Sequence, residues 1–129
     1  MFTLQQITSA HALVKSGADF PAYIHDLKQL GVLQYETFVK DGHTTYFGAD
    51  GYTIHSPSKY AVLKIAEKTN AAKFAIDLKA HQHGQSDYPT FCRQSAEAGV
   101  EKWVVNLDAL TCTYFDLSGA TIFTEAIPQ

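Results

Sequence analysis

The sequence predicts an α+β fold made of two copies of a helix-helix-three-strand unit, related by a pseudo-twofold, with antiparallel strands that form either one sheet or two packed ones. Three observations carry this. First, residues 19–54 and 87–122 align without a gap and share ten identities in 36 positions. Asp19 and Pro21 return as Asp87 and Pro89, Gly31-Val32 as Gly99-Val100, Thr45-Tyr46-Phe47 as Thr113-Tyr114-Phe115, and Gly51 as Gly119. Second, the apolar period changes from helical to alternating at the same place in each copy. Third, the turns between the alternating runs are short, and short turns join antiparallel neighbours. Helices segregated from strand triplets argue for an α+β layer rather than a parallel doubly wound sheet.

The elements follow in order. Leu4, Ile7, His11 and Val14 share one helical face within residues 3–16, and Gly17 stands where a helix stops. Asp19 and Pro21 open a second helix, with Tyr23, Leu27 and Leu30 on one face and Gly31 ending it. Leu33, Tyr35, Thr37 and Val39 alternate as a half-buried strand, Asp41-Gly42 turns the chain into Thr44–Phe47, and residues 48–51 lead to a short strand ending at His55. Ser56-Pro57 reads as a helix start, so a helical segment over 57–83 joins the copies, broken at Thr69-Asn70 before a fresh helix from Ala71. The second copy then gives a helix over 88–98, a stop at Gly99, a strand carrying Trp103, Val105 and Leu107, its partner Thr111–Asp116, and a last strand from Thr121 that Pro128 ends. Each copy alone is marginal in size, so the chain 1–129 is expected to form a single domain.

Composition narrows the function classes. The chain has 129 residues, 46% hydrophobic and 18% charged, with a formal net charge of −3. No apolar run reaches the ~20 residues of a membrane helix, so no membrane partner is expected. There is no block of Lys and Arg to track phosphates, which disfavours nucleic acid. The first residues lack a basic and then apolar leader, so the expected location is cytoplasmic, with Cys92 and Cys112 as reduced thiols.

An internal repeat offers a comparison within one sequence. Positions that match in both copies report shared scaffold: Asp19 and Asp87 as caps, Gly31 and Gly99 as stops, Tyr46 and Tyr114 as sheet residues. Polar positions that differ are freer to function. The densest such run is 79–86, Lys-Ala-His-Gln-His-Gly-Gln-Ser, just ahead of the second copy's cap. A helix start presents unpaired N–H groups, so the candidate ligand-binding set is His81, His83, Gln85, Asp87, Tyr88 and Trp103. The bland alternative makes His81 a hydrogen-bonded histidine on the face of Phe74 and Leu78, and His83 and Gln85 a solvated loop. Metal is not expected, because His81 and His83 point apart in a helix and no HExxH or paired CxxC exists. Tyr88 and Cys92 share a helix face, yet Cys92 replaces Ile24 of the first copy, which favours a buried thiol over a nucleophile. Ser56-Pro57-Ser58-Lys59 matches SxxK without its companion motifs and is better explained as a helix cap. No cofactor motif is present.

The stretches His-Gly-Gln-Ser-Asp-Tyr-Pro-Thr-Phe-Cys (83–92), Gly-Val-Glu-Lys-Trp-Val-Val (99–105) and Thr-Cys-Thr-Tyr-Phe-Asp (111–116) resemble a small bacterial family of unknown function sometimes labelled phage-envelope-protein-like. The resemblance implies a bacterial, prophage-associated soluble protein and brings no catalytic residues with it. Three functions then rank in order. First is a module binding a small molecule or peptide between the halves, in a concavity lined by Tyr35, Trp103 or Tyr114. Second is an assembly protein that forms a homodimer through edge strands or aromatic residues. Third is an enzyme using His81, Asp87, Tyr88 and Cys92.

Overall fold

The computed structural model describes residues 1–14 and 19–127. The expected stops at Gly17 and Pro128 lie outside them. Four helices, α1 (Leu4–His11), α2 (Phe20–Leu30), α3 (Ala71–Gln82) and α4 (Tyr88–Glu97), accompany six strands. These are β1 (Gln34–Phe38), β2 (Thr44–Phe47), β3 (Thr53–His55), β4 (Val100–Asn106), β5 (Thr111–Asp116) and β6 (Thr121–Ala126). They form one antiparallel sheet in the order β3-β2-β1-β4-β5-β6, so the fold is α+β.

Local chemistry accounts for the helix ends. Thr3 and Gln6 form a reciprocal capping box on α1, Asn70 accepts the Lys73 amide at the start of α3, and Asp87 accepts the Thr90 amide at the start of α4. Asp19, the counterpart of Asp87, makes no side-chain cap bond to α2. Helix α1 ends at His11, sooner than the apolar spacing through Val14 suggests, because the Leu13 and Val14 amides bond Ala10 and His11 in tighter turns.

The seam of the sheet is the β1–β4 ladder, which sets Glu36 opposite Val104. The difference, 104 − 36 = 68, is also the offset of the sequence repeat. Tyr35 pairs with Tyr46 and Thr37 with Thr44; 68 residues on, Trp103 pairs with Tyr114 and Val105 with Cys112. An antiparallel ladder carries a local twofold axis, and here the axis passes between equivalent positions. The halves part company at β6. A bulge at Tyr114/Phe115 shifts the β5–β6 register, leaving Phe123 opposite Tyr114.

One face of the sheet carries Tyr46, Tyr35, Thr37, Trp103, Val105, Cys112 and Tyr114, all buried. The helices bury Ile7, Tyr23, Ile24, Leu27, Phe74, Leu78, Phe91, Cys92 and Ala96 into the same core. Each large apolar side chain fully buried there contributes about 1.5–3 kcal/mol. The opposite face is half-exposed. On it Lys102 Nζ donates to Glu36 Oε1 at 3.0 Å and lies 5.6 and 5.7 Å from the Phe38 and Phe115 ring centres.

The joining segment departs from expectation. The sequence predicts helix over 57–83, but only the part from Ala71 is helical, and residues 56–70 form a strap. Its amides bond outward instead of to their own helix: Lys59 to Asp41 O, Leu63 to Lys40 O, Ala66 to Ala96 O and Asn70 to Ala98 O. Tyr60 donates to Val39 O at 2.6 Å. Tertiary hydrogen bonds that span both halves outweigh a weak local helix preference. Ser56 therefore caps no helix, and its Oγ accepts the Thr44 amide at 2.8 Å.

Candidate functional site

Helix packing and the turn before α4 place the candidate residues in three different settings. His81 is half-buried, donates from Nδ1 to the Ser86 carbonyl at 3.1 Å, and stacks on Phe91 with centroids 4.5 Å apart and planes at 8°. This is the hydrogen-bonded histidine of the bland alternative. Asp87 is an exposed cap. The bonds it accepts from Thr90 hold its carboxyl below the usual carboxylate range. Gln85 is exposed. Tyr88 and Trp103 meet edge to face at 6.5 Å, beside Phe91 and Tyr114 in the core. His83 stands apart from these, in a groove between α3 and β6.

Tyr88 belongs to a network that the residue pattern did not reveal. Tyr88 is 41% exposed, and its phenol lies near Cys92. Cys92, on the next turn of α4, faces Tyr60 of the strap, whose hydroxyl donates to Val39 O, and Tyr46 of β2 lies near Tyr23 of α2. Burial raises the phenols of Tyr23, Tyr46, Tyr60 and Tyr88 and the thiol of Cys92 above their ordinary pKa values. Cys92 is therefore a protonated thiol at neutral pH, not an activated nucleophile. Burial pushes Cys112 up to about 12, with the same consequence. A hint was present in the repeat: Phe20 and Tyr23 become Tyr88 and Phe91, so the aromatic scaffold is kept while the hydroxyl changes place.

Two surface concavities involve residues of the sheet's seam and edge. The smaller, about 250 Å³, is the groove lined by Ala75, Leu78, Lys79, Gln82, His83, Phe123 and Glu125. Glu125 accepts a hydrogen bond from the buried Tyr114 hydroxyl at 2.9 Å and from Gln82 Nε2 at 3.0 and 3.2 Å. The larger, about 480 Å³, straddles the seam: Lys28, Val32, Leu33 and Gln34 come from the first half, Asn106, Leu107 and Asp108 from the second. Gln34 and Asn106 face each other across the ladder, and the Leu107 amide bonds Leu33 O. Asn106 Oδ1 accepts the Asp108 and Ala109 amides, which fixes the turn that carries Asp108. Among the described residues neither Lys28 nor Asp108 has an ion-pair partner. None of the six candidate residues lines this cleft, and Tyr35, Trp103 and Tyr114 lie in the core instead. Lys28 and Asp108 satisfy the same criterion as 79–86, since their counterparts Ala96 and Lys40 differ in charge; they are isolated in sequence, and folding brings them together.

Among the described residues no group of three or more His, Cys, Asp or Glu side chains is arranged to hold a metal ion. No described helix is long and apolar enough to cross a membrane.

Two carboxylates make stability depend on acid. Asp116 accepts bonds from Ser118, Ala120 and Thr69, and these hold its carboxyl down as the Thr90 bonds hold Asp87. Both folded-state pKa values lie below the ordinary 3.8. Their stabilisation is thus complete above the unfolded value and is lost as pH falls through the folded one. Asp116→Asn should flatten the fall in melting temperature below about pH 4, read by scanning calorimetry from pH 6 to pH 2.5.

A search of curated proteins finds no match to the chain. A family profile described as "Protein of unknown function (DUF1398)" matches residues 8–126. That match takes in both halves, the strap and the seam cleft, and the chain belongs to the DUF1398 family.

Proposed function

We propose that the chain is a single-domain small-molecule-binding module whose site is the cleft across the β1–β4 seam. One observation carries the reading: the cleft joins residues of both halves and sets Lys28 and Asp108, neither in an ion pair among the described residues, about an apolar floor of Val32, Leu33 and Leu107. Its volume falls in the range of ligand pockets. A cation and an anion on separate lips suit a zwitterion, whose carboxylate meets Lys28 and whose ammonium meets Asp108. The amides of Gln34 and Asn106 add a donor and an acceptor between them. The buried, unpaired thiols of Cys92 and Cys112 suit a reducing compartment.

Titration with a panel of L-amino acids and related zwitterions, followed by ligand-observed NMR, tests the site. Lys28→Met and Asp108→Asn should each weaken binding by about tenfold, the loss of one charged hydrogen bond, with melting temperature unchanged. Binding that survives both variants but is lost in Tyr88→Phe would move the site to the phenol–thiol network. A panel without hits would sink the zwitterion reading.

A further inference from the structure

The two edges of the sheet are unlike. Strand β3 has three residues and is followed closely by Pro57, a combination that blunts an edge. Strand β6 has six residues, Thr-Ile-Phe-Thr-Glu-Ala, with no proline, no lysine and a single charge. Among the described residues it is the last strand of the sheet, so one side of its backbone has no ladder partner. The Ile127 amide bonds Leu110 O and so points toward β5. Alternation then turns the amides and carbonyls of Thr124 and Ala126 outward.

Beside this edge, helix α3 presents an apolar strip to solvent. Ala72 and Ala75 are exposed, and Ile76 is 70% exposed; on the strand, Phe123 is 42% exposed. The groove of about 250 Å³ runs between them, with Ala75 and Leu78 among its walls. Strand and helix thus offer parallel strips of about 20 Å and 18 Å for a six-residue strand and a twelve-residue helix.

We propose that β6 pairs antiparallel with β6 of a second copy of this chain, about a twofold through Thr124, to give a continuous sheet. Charge disfavours one register. Centring on Glu125 would oppose two carboxylates, whereas centring on Thr124 sets Phe123 of each copy opposite Glu125 of the other. Phe123 and Glu125 both lie on the helix side of β6. An incoming Phe123 therefore falls beside Glu125, at the end of the groove that Gln82 lines. An incoming Glu125 that releases Gln82 of its own chain meets Lys79, a groove-lining cation with no ion pair among the described residues. The surface is self-complementary, as an interface with twofold symmetry requires.

Sedimentation equilibrium of the full chain from about 1 to 500 µM tests this, a range that brackets the weak and transient interfaces of this size. The wild type should show twice the 14.2 kDa chain mass at the upper concentrations. Thr124→Pro removes the outward amide while leaving the backbone bonds to β5, losing there the exposed Thr124 Oγ1–Thr113 Oγ1 bond, and should shift the dimer constant at least tenfold. Lys79→Glu should weaken the dimer in the same direction. A wild type that stays monomeric throughout overturns the proposal and leaves the edge to a foreign strand; a dimer indifferent to Thr124→Pro overturns it by placing the contact elsewhere. Should Thr124→Pro fail to fold, hydrogen exchange on the wild type decides: the Thr124 and Ala126 amides must slow as protein concentration rises, and rates that do not change refute the pairing.

Discussion

Gly99→Ala is expected to destabilise the protein by about 2–5 kcal/mol, while Gly31→Ala, at the equivalent position of the repeat, costs only about 1–2 kcal/mol. Both glycines end a helix with positive φ, 101° at Gly31 and 87° at Gly99, so both variants incur the left-handed penalty. Their surroundings differ. A Cβ on Gly31 would meet only a Phe2 ring atom at 3.9 Å, an ordinary contact. A Cβ on Gly99 would lie 3.0 Å from both the Lys68 carbonyl oxygen and the Thr69 Cα, and 3.3 Å from the Ala66 carbonyl oxygen. These are backbone atoms of the strap, held by the Ala66 and Asn70 amides bonding Ala96 O and Ala98 O, so they yield only if the strap lifts. Urea unfolding of the two variants compares them directly. Equal losses would show that the strap does not bear on Gly99.

Phe74→Ala is expected to cost about 3–5 kcal/mol, the usual range for emptying a buried aromatic site. Phe74 is 1% exposed and ties three elements together: its own helix, Phe91 of α4 at 6.0 Å and Tyr114 of β5 at 4.9 Å, the latter edge to face. Phe38→Ala, on the half-exposed face, removes a ring of the same size and should cost distinctly less. The contrast in urea midpoints measures how unequally the two faces of the sheet contribute. If both variants lost the same stability, the helical layer would not be the main site of burial.

The repeat in the sequence led directly to the strand triplets, their turns and the cap at Asp87, and the Thr69-Asn70 break to the cap at Asn70, because each of these depends on residues close together in the chain. It could not lead to the strap. Pro57 after Ser56 carries a helix-start signal, but Tyr60, Leu63 and Ala66 find partners in Val39, Lys40 and Ala96, and such distant hydrogen bonds leave no local mark. The site residues divide in the same way. His81 on the Phe74 and Leu78 face was readable as a packed histidine. The approach of Tyr60 and Tyr88 to Cys92, of Tyr23 to Tyr46, and of Lys28 and Asp108 to one cleft, depends on how four or more elements meet. The run at 79–86 drew notice because its polar residues are contiguous, whereas the seam cleft is assembled from single residues many positions apart.

The seam also has a kinetic meaning. Every other strand pairing joins neighbours in sequence, so the triplets β1-β2-β3 and β4-β5-β6 can each form by hairpin closure. Bringing Glu36 to Val104 closes a loop of 104 − 36 = 68 residues, whose chain entropy costs about 3.7 kcal/mol before any contact repays it. Docking of the two triplets is thus the step with the highest topological cost. Until it happens, the long inner edges of β1 and β4 are both unpaired, and the same edges that later make the centre of the sheet are the ones through which two folding chains can exchange halves.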